Sequence, residues 1–64
     1  MKMNKMIRRG TTLKNKNGFY AVVDVDVVDG FAIIRKIMRD SKGAIYYGKN
    51  TFIGLKQLND YKVV

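Results

Sequence analysis

The sequence contains no cysteine, histidine, glutamate or proline, and Ser41 is its single serine. Without cysteine the chain forms no internal disulfide and no thiolate metal site. Without histidine and glutamate, most zinc sites, general bases and paired-carboxylate sites lose the residues they require, and Ser41 has no histidine to activate it. We therefore expect a protein that is not an enzyme and that holds no metal or other cofactor.

Long apolar runs are also missing. No stretch reaches the ~18 apolar residues that a membrane span requires. The basic start MKMNKMIRRG is not followed by the apolar segment of a signal peptide. Together with the missing cysteine, these features predict a cytoplasmic location and no membrane contact.

Acidic residues are scarce, because 5 Asp stand against 13 Lys and Arg in 64 residues, for a net charge of +8. A chain of this length allows one domain. We expect residues 1–9 to form a flexible basic arm and residues 10–64 to form the domain. The strong positive potential favours an anionic partner, either nucleic acid or an acidic protein surface.

Three turn signals divide the chain into strands. Asn17-Gly18 and Asp29-Gly30 are preferred dipeptides of two-residue hairpin turns, and DSKG at 40–43 suits a four-residue turn. The segments between them are rich in Val, Ile, Phe and Tyr. They predict an all-β domain with strands at residues 11–15, 19–28, 31–39, 44–47 (resuming at 51–53) and 61–64. Leu55 and Leu58 predict a 3₁₀ turn before the last strand.

The second predicted strand carries a conflict between its valines and its acids. A hairpin at Asn17-Gly18 places Val22 opposite the core residue Leu13, and strict alternation would then turn Asp24 and Asp26 into the core. Burying two unpaired carboxylates costs several kcal/mol or more. We therefore predict a β-bulge or sharp bend at residues 22–24. It turns the acids outward and directs inward the valines Val23, Val25 and Val27.

The stretch VVDVDVVDG gathers three of the five acids, and a metal loop, an active site and a solvent-facing strand are its three interpretations. A calcium loop runs D-x-D-x-D-G and ends in Glu at its twelfth position. Here the third Asp comes one residue late and the twelfth position is Arg35. The solvent-facing strand is favoured, with Asp24 directly opposite Arg35 across a two-residue turn. We expect polyanions to avoid this face.

Five short strands with a 3₁₀ turn before the last one is the layout of SH3-like small β-barrels. The stretch GTTLKNKNGFYAVVDVDVVDGFAIIR also resembles the Tudor and KOW branch of that group. In that branch a Gly opens strand one, a Gly-aromatic pair enters strand two, and an acidic-Gly turn leads to strand three. The ending GLKQLNDYKVV resembles the final turn and strand. The resemblance covers residues 10–64 and implies a binding module for DNA, RNA, peptides or proteins, without indicating which.

Basic residues and tyrosines define the predicted binding site. We expect nucleic acid, either DNA or RNA, to be bound mainly through phosphate contacts, with Tyr46 or Tyr47 stacking on bases. Solvated charges and rings that pack on the protein surface are the competing interpretation. The predicted nucleic-acid contacts are Arg8, Arg9, Lys14, Lys16, Arg35, Lys36, Arg39, Lys42, Tyr46 and Tyr47.

The third predicted strand, FAIIRKIM, is apolar in both phases, so one phase remains outside the core. We predict that this exposed phase, Phe31 and Ile33 or else Ala32, Ile34 and Met38, forms an interface with a partner or in a homodimer. The alternative function is a protein-interaction module of phage or plasmid type, a regulator or inhibitor that docks on an acidic surface of a larger complex. The Lys, Asn and Ile bias of the chain is compatible with such an origin.

Overall fold

The computed structural model describes residues 7–64, which form five β-strands and one short 3₁₀ helix. In chain order these are β1 (Thr12–Asn15), β2 (Gly18–Asp26), β3 (Phe31–Arg39), β4 (Ile45–Gly54), the 3₁₀ helix (Leu55–Asp60) and β5 (Lys62–Val63). The strands form one antiparallel sheet in the order β4-β3-β2-β1-β5. The predicted all-β fold, with five antiparallel strands and a 3₁₀ turn before the last, is confirmed. Within residues 7–64, no helix is long and apolar enough to cross a membrane.

Residues 7–11 attach the start of the described chain to the sheet. The N–H of Gly10 donates to the carbonyl of Val22 at 3.0 Å, and the N–H of Val22 donates to the carbonyl of Thr11 at 2.9 Å. Ile7 is half-buried and packs against the core. The arm was predicted at residues 1–9, and residues 1–6 of it lie outside the described part of the chain.

The core lies on one face of the sheet and is small. Its buried side chains are Leu13, Val22, Ala32, Ile34 and Leu58. The 3₁₀ helix supplies the last of these, so it covers the face on which β1, β2 and β3 place the others. Burying each aliphatic side chain contributes roughly 1.5–3 kcal/mol, which a chain of this size needs to offset its conformational entropy.

The predicted β-bulge in β2 is confirmed at residues 22–24. Val22 pairs with Ile34 but Asp24 pairs with Ile33, so β2 carries one extra residue against β3. As a result Val22 and Val25 both contact the core although they are three residues apart, and Asp24 is exposed. The prediction that Val23 and Val27 point inward is wrong. Val22 rather than Val23 is the core residue at the bulge, and Val27 is 75% exposed in the turn after β2.

The turn between β2 and β3 is longer than predicted. Asp26 pairs with Phe31, so four residues rather than two form the turn. The Asp26 carbonyl accepts the N–H of Gly30 at 2.9 Å, and its side-chain Oδ1 accepts the N–H of Asp29 at 3.0 Å. Because the longer turn shifts the register, the predicted Asp24–Arg35 pair is wrong. Arg35 lies opposite Ala21, and Asp24 lies opposite Ile33.

The turn between β1 and β2 is also displaced by one residue. Asn15 pairs with Gly18, so the turn residues are Lys16 and Asn17 rather than Asn17 and Gly18. The side-chain Oδ1 of Asn15 accepts the N–H of Asn17 at 2.8 Å and stabilises this turn. Gly18 adopts a φ of 139°, a conformation that L side chains rarely adopt. Leu13 therefore lies opposite Tyr20, not opposite Val22.

The turn between β3 and β4 forms at DSKG as predicted. The Asp40 carboxylate accepts the N–H groups of Lys42 and Ala44 at 2.8 and 2.9 Å, and Gly43 adopts a φ of 86°. The strand that follows is longer than predicted, because β4 runs without interruption through ten residues. A second register shift lies opposite residues 35–37, where β4 accommodates an extra residue.

Candidate nucleic-acid interface

The face of the sheet opposite the core is called the outer face. Successive side chains of a strand alternate between faces. Because Ala32 and Ile34 are buried on the core face, the residues of β3 that alternate with them lie on the outer face. These outward residues are Phe31, Ile33, Arg35, Ile37 and Arg39. Phe31 and Ile33 thus belong to the phase of β3 that lies outside the core, which was the first of the two alternatives predicted from the sequence.

A row of directly paired residues crosses all five strands on the outer face. From β5 to β4 this cross-strand row consists of Lys62, Lys14, Phe19, Ile37 and Tyr47. Directly opposed residues of antiparallel strands project on the same side of the sheet. With about 4.8 Å between strands, the row extends over about 19 Å. Two cations therefore stand at one end of the row, and two aromatic rings follow across the strands.

Each aromatic ring of the cross-strand row has a cation above it. Lys14 Nζ lies 5.4 Å from the ring centroid of Phe19, and Arg35 Cζ lies 4.2 Å from that of Tyr47. Such contacts contribute roughly 0.5–1 kcal/mol at exposed positions. Arg35 Nε is buried and makes no hydrogen bond within the described residues. The ring of Tyr47, rather than a hydrogen bond at Nε, therefore positions the Arg35 guanidinium.

The aromatic residues of the row are partly open to solvent. Phe19 is 41% exposed and Tyr47 is 49% exposed. Beside them lies a shallow apolar groove of about 490 Å³, lined by Phe19, Ile37, Met38, Arg39 and Ile45. The cross-strand row together with Arg35 and Arg39 is called the basic end of the outer face. It combines accessible rings with cations within one continuous surface.

The structure brings four of the ten predicted nucleic-acid contacts together at the basic end: Lys14, Arg35, Arg39 and Tyr47. Lys36 and Tyr46 alternate with them and belong to the opposite side of their strands. Lys16 and Lys42 lie in the first and third turns, while Arg8 and Arg9 are exposed before β1. Phe19, Ile37 and Lys62 were not predicted, because only the strand register places them beside Lys14.

The other part of the outer face is acidic and apolar. The acidic end comprises Asp24, Asp26, Phe31, Ile33 and Phe52, which pair across β2, β3 and β4. The rings of Phe31 and Phe52 lie 5.4 Å apart, and Phe52 is 65% exposed. The predicted interface residues, Phe31 and Ile33, are half-buried between these acids and this ring.

A polar cleft adjoins the row where β1 ends and β5 begins. One part, about 310 Å³, is lined by Lys14, Asn15, Lys16, Asp60 and Lys62. A second part, about 420 Å³, shares three of these residues and adds Gln57 and Tyr61. Burial first, then the neighbouring Tyr20 and the Asp60 carboxylate, raise the pKa of Tyr61 above its ordinary value of 10.0. The Tyr61 hydroxyl therefore stays protonated at neutral pH.

The side chains of the basic end are suited to binding anions and flat rings. Ammonium and guanidinium groups contact phosphate oxygens, and exposed aromatic rings stack on bases. Among residues 7–64, no three carboxylates lie together in a group that could hold a metal ion. Comparisons with protein families, with curated proteins and with solved structures find no match for this chain.

Proposed function

We propose that the basic end of the outer face binds single-stranded nucleic acid. The observation that carries the proposal is the cross-strand row, in which two lysines on β5 and β1 are followed by exposed aromatic residues on β2 and β4, with Ile37 of β3 between them. Phosphates would contact the cations, and unpaired bases would stack on the parts of Phe19 and Tyr47 that Lys14 and Arg35 leave exposed. The arrangement is that of a binding surface and includes no reacting group.

Electrostatics supports the phosphate part of the proposal. A net charge of +8 on 64 residues raises the local concentration of any polyanion near the surface. Each phosphate neutralised by Lys or Arg releases condensed counterions, which makes binding favourable and strongly dependent on salt. The Arg35 guanidinium, whose Cζ lies 4.2 Å from the Tyr47 ring centroid, would offer its terminal N–H groups to a phosphate.

The exposed rings favour a single strand over a duplex. In a duplex, neighbouring base pairs already cover both faces of each base, whereas an unpaired base stacks on an aromatic side chain with roughly 1–3 kcal/mol. Phe19 and Tyr47 stand two strands apart with Ile37 between them, so they would meet different bases of the same chain. A duplex would gain only the phosphate contacts.

The acidic end supports a direction for the bound strand. Asp24 and Asp26 lie farther along β2, opposite Ile33 and Phe31 of β3, and would repel phosphates, so a polyanion would cross the strands along the row rather than follow them. The layout of five strands and a 3₁₀ helix also supports the proposal that the domain is an SH3-like barrel. Binding of nucleic acid is one of the functions for which such barrels are used.

The apolar groove favours a second candidate function. Its lining by Phe19, Ile37 and Ile45 beside Arg39 would suit an acidic peptide with apolar anchors. A protein-interaction module that docks on an acidic surface would use the same end of the molecule. The two functions differ in their dependence on aromatic stacking and in their ligand, so one binding experiment separates them.

The test measures fluorescence anisotropy with labelled single-stranded DNA, single-stranded RNA and duplex DNA of about 16 nucleotides. Titrations at about 50 and about 200 mM salt give the salt slope. We expect single strands to bind more tightly than the duplex. Replacing both Lys14 and Lys62 with Gln should reduce the magnitude of the salt slope by about two, because two phosphate contacts are lost.

The matched control removes the same charge elsewhere. Lys42→Gln with Lys49→Gln deletes two exposed lysines that are not part of the cross-strand row, and we expect a clearly smaller change in affinity and slope. Equal effects of the two double variants would show that the row is not the site. If none of the three nucleic acids binds at the lower salt concentration, the proposed function is wrong and the protein-interaction alternative becomes the leading one.

A further inference from the structure

The polar cleft beside the cross-strand row is a continuation of the proposed binding surface. Lys14 and Lys62 belong to both the row and the cleft, and the cleft then turns around the end of β1 toward the 3₁₀ helix. A strand lying on the row would therefore present its next base to the cleft. The inference developed here rests on the proposed function and concerns the identity of that base.

Two side-chain amides of the cleft are oriented by backbone hydrogen bonds. Asn15 Oδ1 accepts the N–H of Asn17 at 2.8 Å, and Gln57 Oε1 accepts the N–H of Gly54 at 2.8 Å. These bonds hold the amide oxygens in the fold. The NH₂ group of each amide is thus the main group that can interact with a ligand, to which it donates hydrogen bonds. Lys16 adds a further donor.

Asp60 is the acceptor of the cleft. The carboxylates of Asp24, Asp26 and Asp40 accept backbone N–H groups, and so serve local structure. Asp60 instead lines both parts of the cleft, at the end of the 3₁₀ helix. Asp60 is the one carboxylate that lines the cleft, and it lies among lysines. Its negative charge weakens the attraction of the cleft for phosphate. A ligand group that donates hydrogen bonds would explain its position.

We propose that the cleft binds a guanine base of the single strand. The Watson–Crick edge of guanine carries two adjacent donors, N1–H and the N2 amino group, beside the acceptor O6. A carboxylate accepts both donors at once, and an amide NH₂ or an ammonium donates to O6. Adenine, cytosine and thymine each offer fewer donors to the carboxylate. Asp60 therefore selects guanine, and Asn15, Gln57 or Lys16 contacts O6.

The same chemistry would recognise the guanine of a free nucleotide, but the cleft favours a base within a strand. Lys14 and Lys62 line the cleft and also belong to the cross-strand row, so the phosphates flanking the base would meet them. A free nucleotide would lack the further contacts along the row. The bound guanine would thus lie at one end of the part of the nucleic-acid strand that contacts the protein.

The test uses otherwise identical thymidine oligonucleotides that carry a single dG, dA, dC or deoxyinosine, with GMP as a separate ligand. We expect the dG oligonucleotide to bind about tenfold more tightly than the dA and dC oligonucleotides. Deoxyinosine lacks the N2 amino group and should fall between dG and the others. GMP should bind far more weakly than any oligonucleotide. Affinity for GMP equal to that for the dG oligonucleotide would overturn the assignment to a strand.

The Asp60→Asn variant distinguishes base recognition from simple electrostatics. Removing a negative charge should strengthen binding of the all-thymidine oligonucleotide, whereas loss of the double acceptor should weaken binding of the dG oligonucleotide. These opposite signs are the expected result, with the thermal unfolding midpoint of the variant as the folding control. If both affinities rise together, the guanine inference is wrong and the proposed function stands. If no oligonucleotide binds the wild-type protein, both are wrong.

Discussion

The basic end and the acidic end of the outer face share the strands β2, β3 and β4, yet they carry opposite charge. At the basic end, β2 and β3 present Phe19, Ile37 and Arg35 with a lysine alongside. At the acidic end, the same two strands present Asp24, Asp26 and Ile33. Both ends expose an aromatic residue of β4, so exposed aromatic surface alone does not distinguish them. The difference in charge does.

The boundary between the two ends is the β-bulge of β2. Before it, alternation directs Phe19 and Ala21 outward, and after it the extra residue lets Asp24 and Asp26 face outward as well. An uninterrupted alternation from Val22 would direct both acids into the core. One extra residue therefore protects the core and also creates the surface from which a polyanion is repelled.

The largest expected effect comes from placing a carboxylate on the core side of the sheet at the β-bulge. Val22→Asp introduces an unpaired carboxylate at a core position and should reduce the free energy of unfolding by about 3–5 kcal/mol. A 64-residue domain has a total stability of roughly 3–10 kcal/mol, so the variant should lose a large share of it. Urea denaturation followed by circular dichroism measures the change.

The neighbouring residue is the control for this prediction. Val23 lies in the bulge and is half-buried, so Val23→Asp introduces the same charge without placing it among Leu13, Ile34 and Leu58. We expect it to cost about 1 kcal/mol. Equal stabilities for the two variants would contradict the assignment of Val22 to the core side of the bulge.

The second largest effect tests whether charge or aromatic surface defines the binding end. Tyr47→Ala removes a stacking ring at the basic end and should weaken single-strand binding by roughly 1–3 kcal/mol. Phe52→Ala removes a more exposed ring from the same strand and the same face, but at the acidic end, and should leave affinity within about twofold. Anisotropy titrations of both variants make the comparison, and similar losses would mean that the two ends are not functionally distinct.

The pattern of Val, Asp and turn residues was sufficient to predict the all-β fold, the 3₁₀ turn and the bulge. Burial of apolar residues and exposure of carboxylates are strong local requirements, so the sequence alone indicates them. The register was less accessible, because the first turn keeps its two residues but forms one residue earlier than Asn17-Gly18 predicts, and Asp29-Gly30 permits a longer turn. The longer second turn places Arg35 opposite Ala21 instead of Asp24, and the register of β3 with β4 brings Arg35 beside Tyr47. The cross-strand row depends on this register, which explains why Phe19 and Lys62 were missed.

A smaller effect should follow when the charge contrast between the ends is removed. Asp24→Asn with Asp26→Asn keeps side-chain acceptors for local N–H groups but removes two negative charges. The four residue steps of β3 from Ile33 to Ile37 span about 13 Å. This exceeds the Debye length of about 10 Å at 0.1 M salt. We therefore expect single-strand affinity to rise only about two- to threefold at low salt.

The salt dependence of that effect is its control. At about 1 M salt the Debye length is about 3 Å, so the double variant and the wild-type protein should bind equally weakly. A gain of affinity that persisted at high salt would show that the acids oppose binding by direct contact. The basic end would then extend farther along β3 than the cross-strand row indicates.

The smallest effect concerns Tyr61, which packs against the core and lines the polar cleft. The pKa of Tyr61 is raised above 10.0 by its burial, by Tyr20 and by the Asp60 carboxylate. Below about pH 9 the residue is protonated in both the folded and the unfolded state and adds no pH dependence. As the pH rises through 10.0, Tyr61 ionises first in the unfolded chain, so the free energy of unfolding should fall. Between about pH 9 and about pH 11 the wild-type protein should therefore lose more stability than Tyr61→Phe.

Lysines and the other tyrosines titrate in both proteins, so the difference between the two slopes in urea denaturation reports Tyr61. A variant that loses as much stability as the wild type would show that Tyr61 has the same pKa in both states, and that the cleft leaves its hydroxyl as solvated as the unfolded chain does.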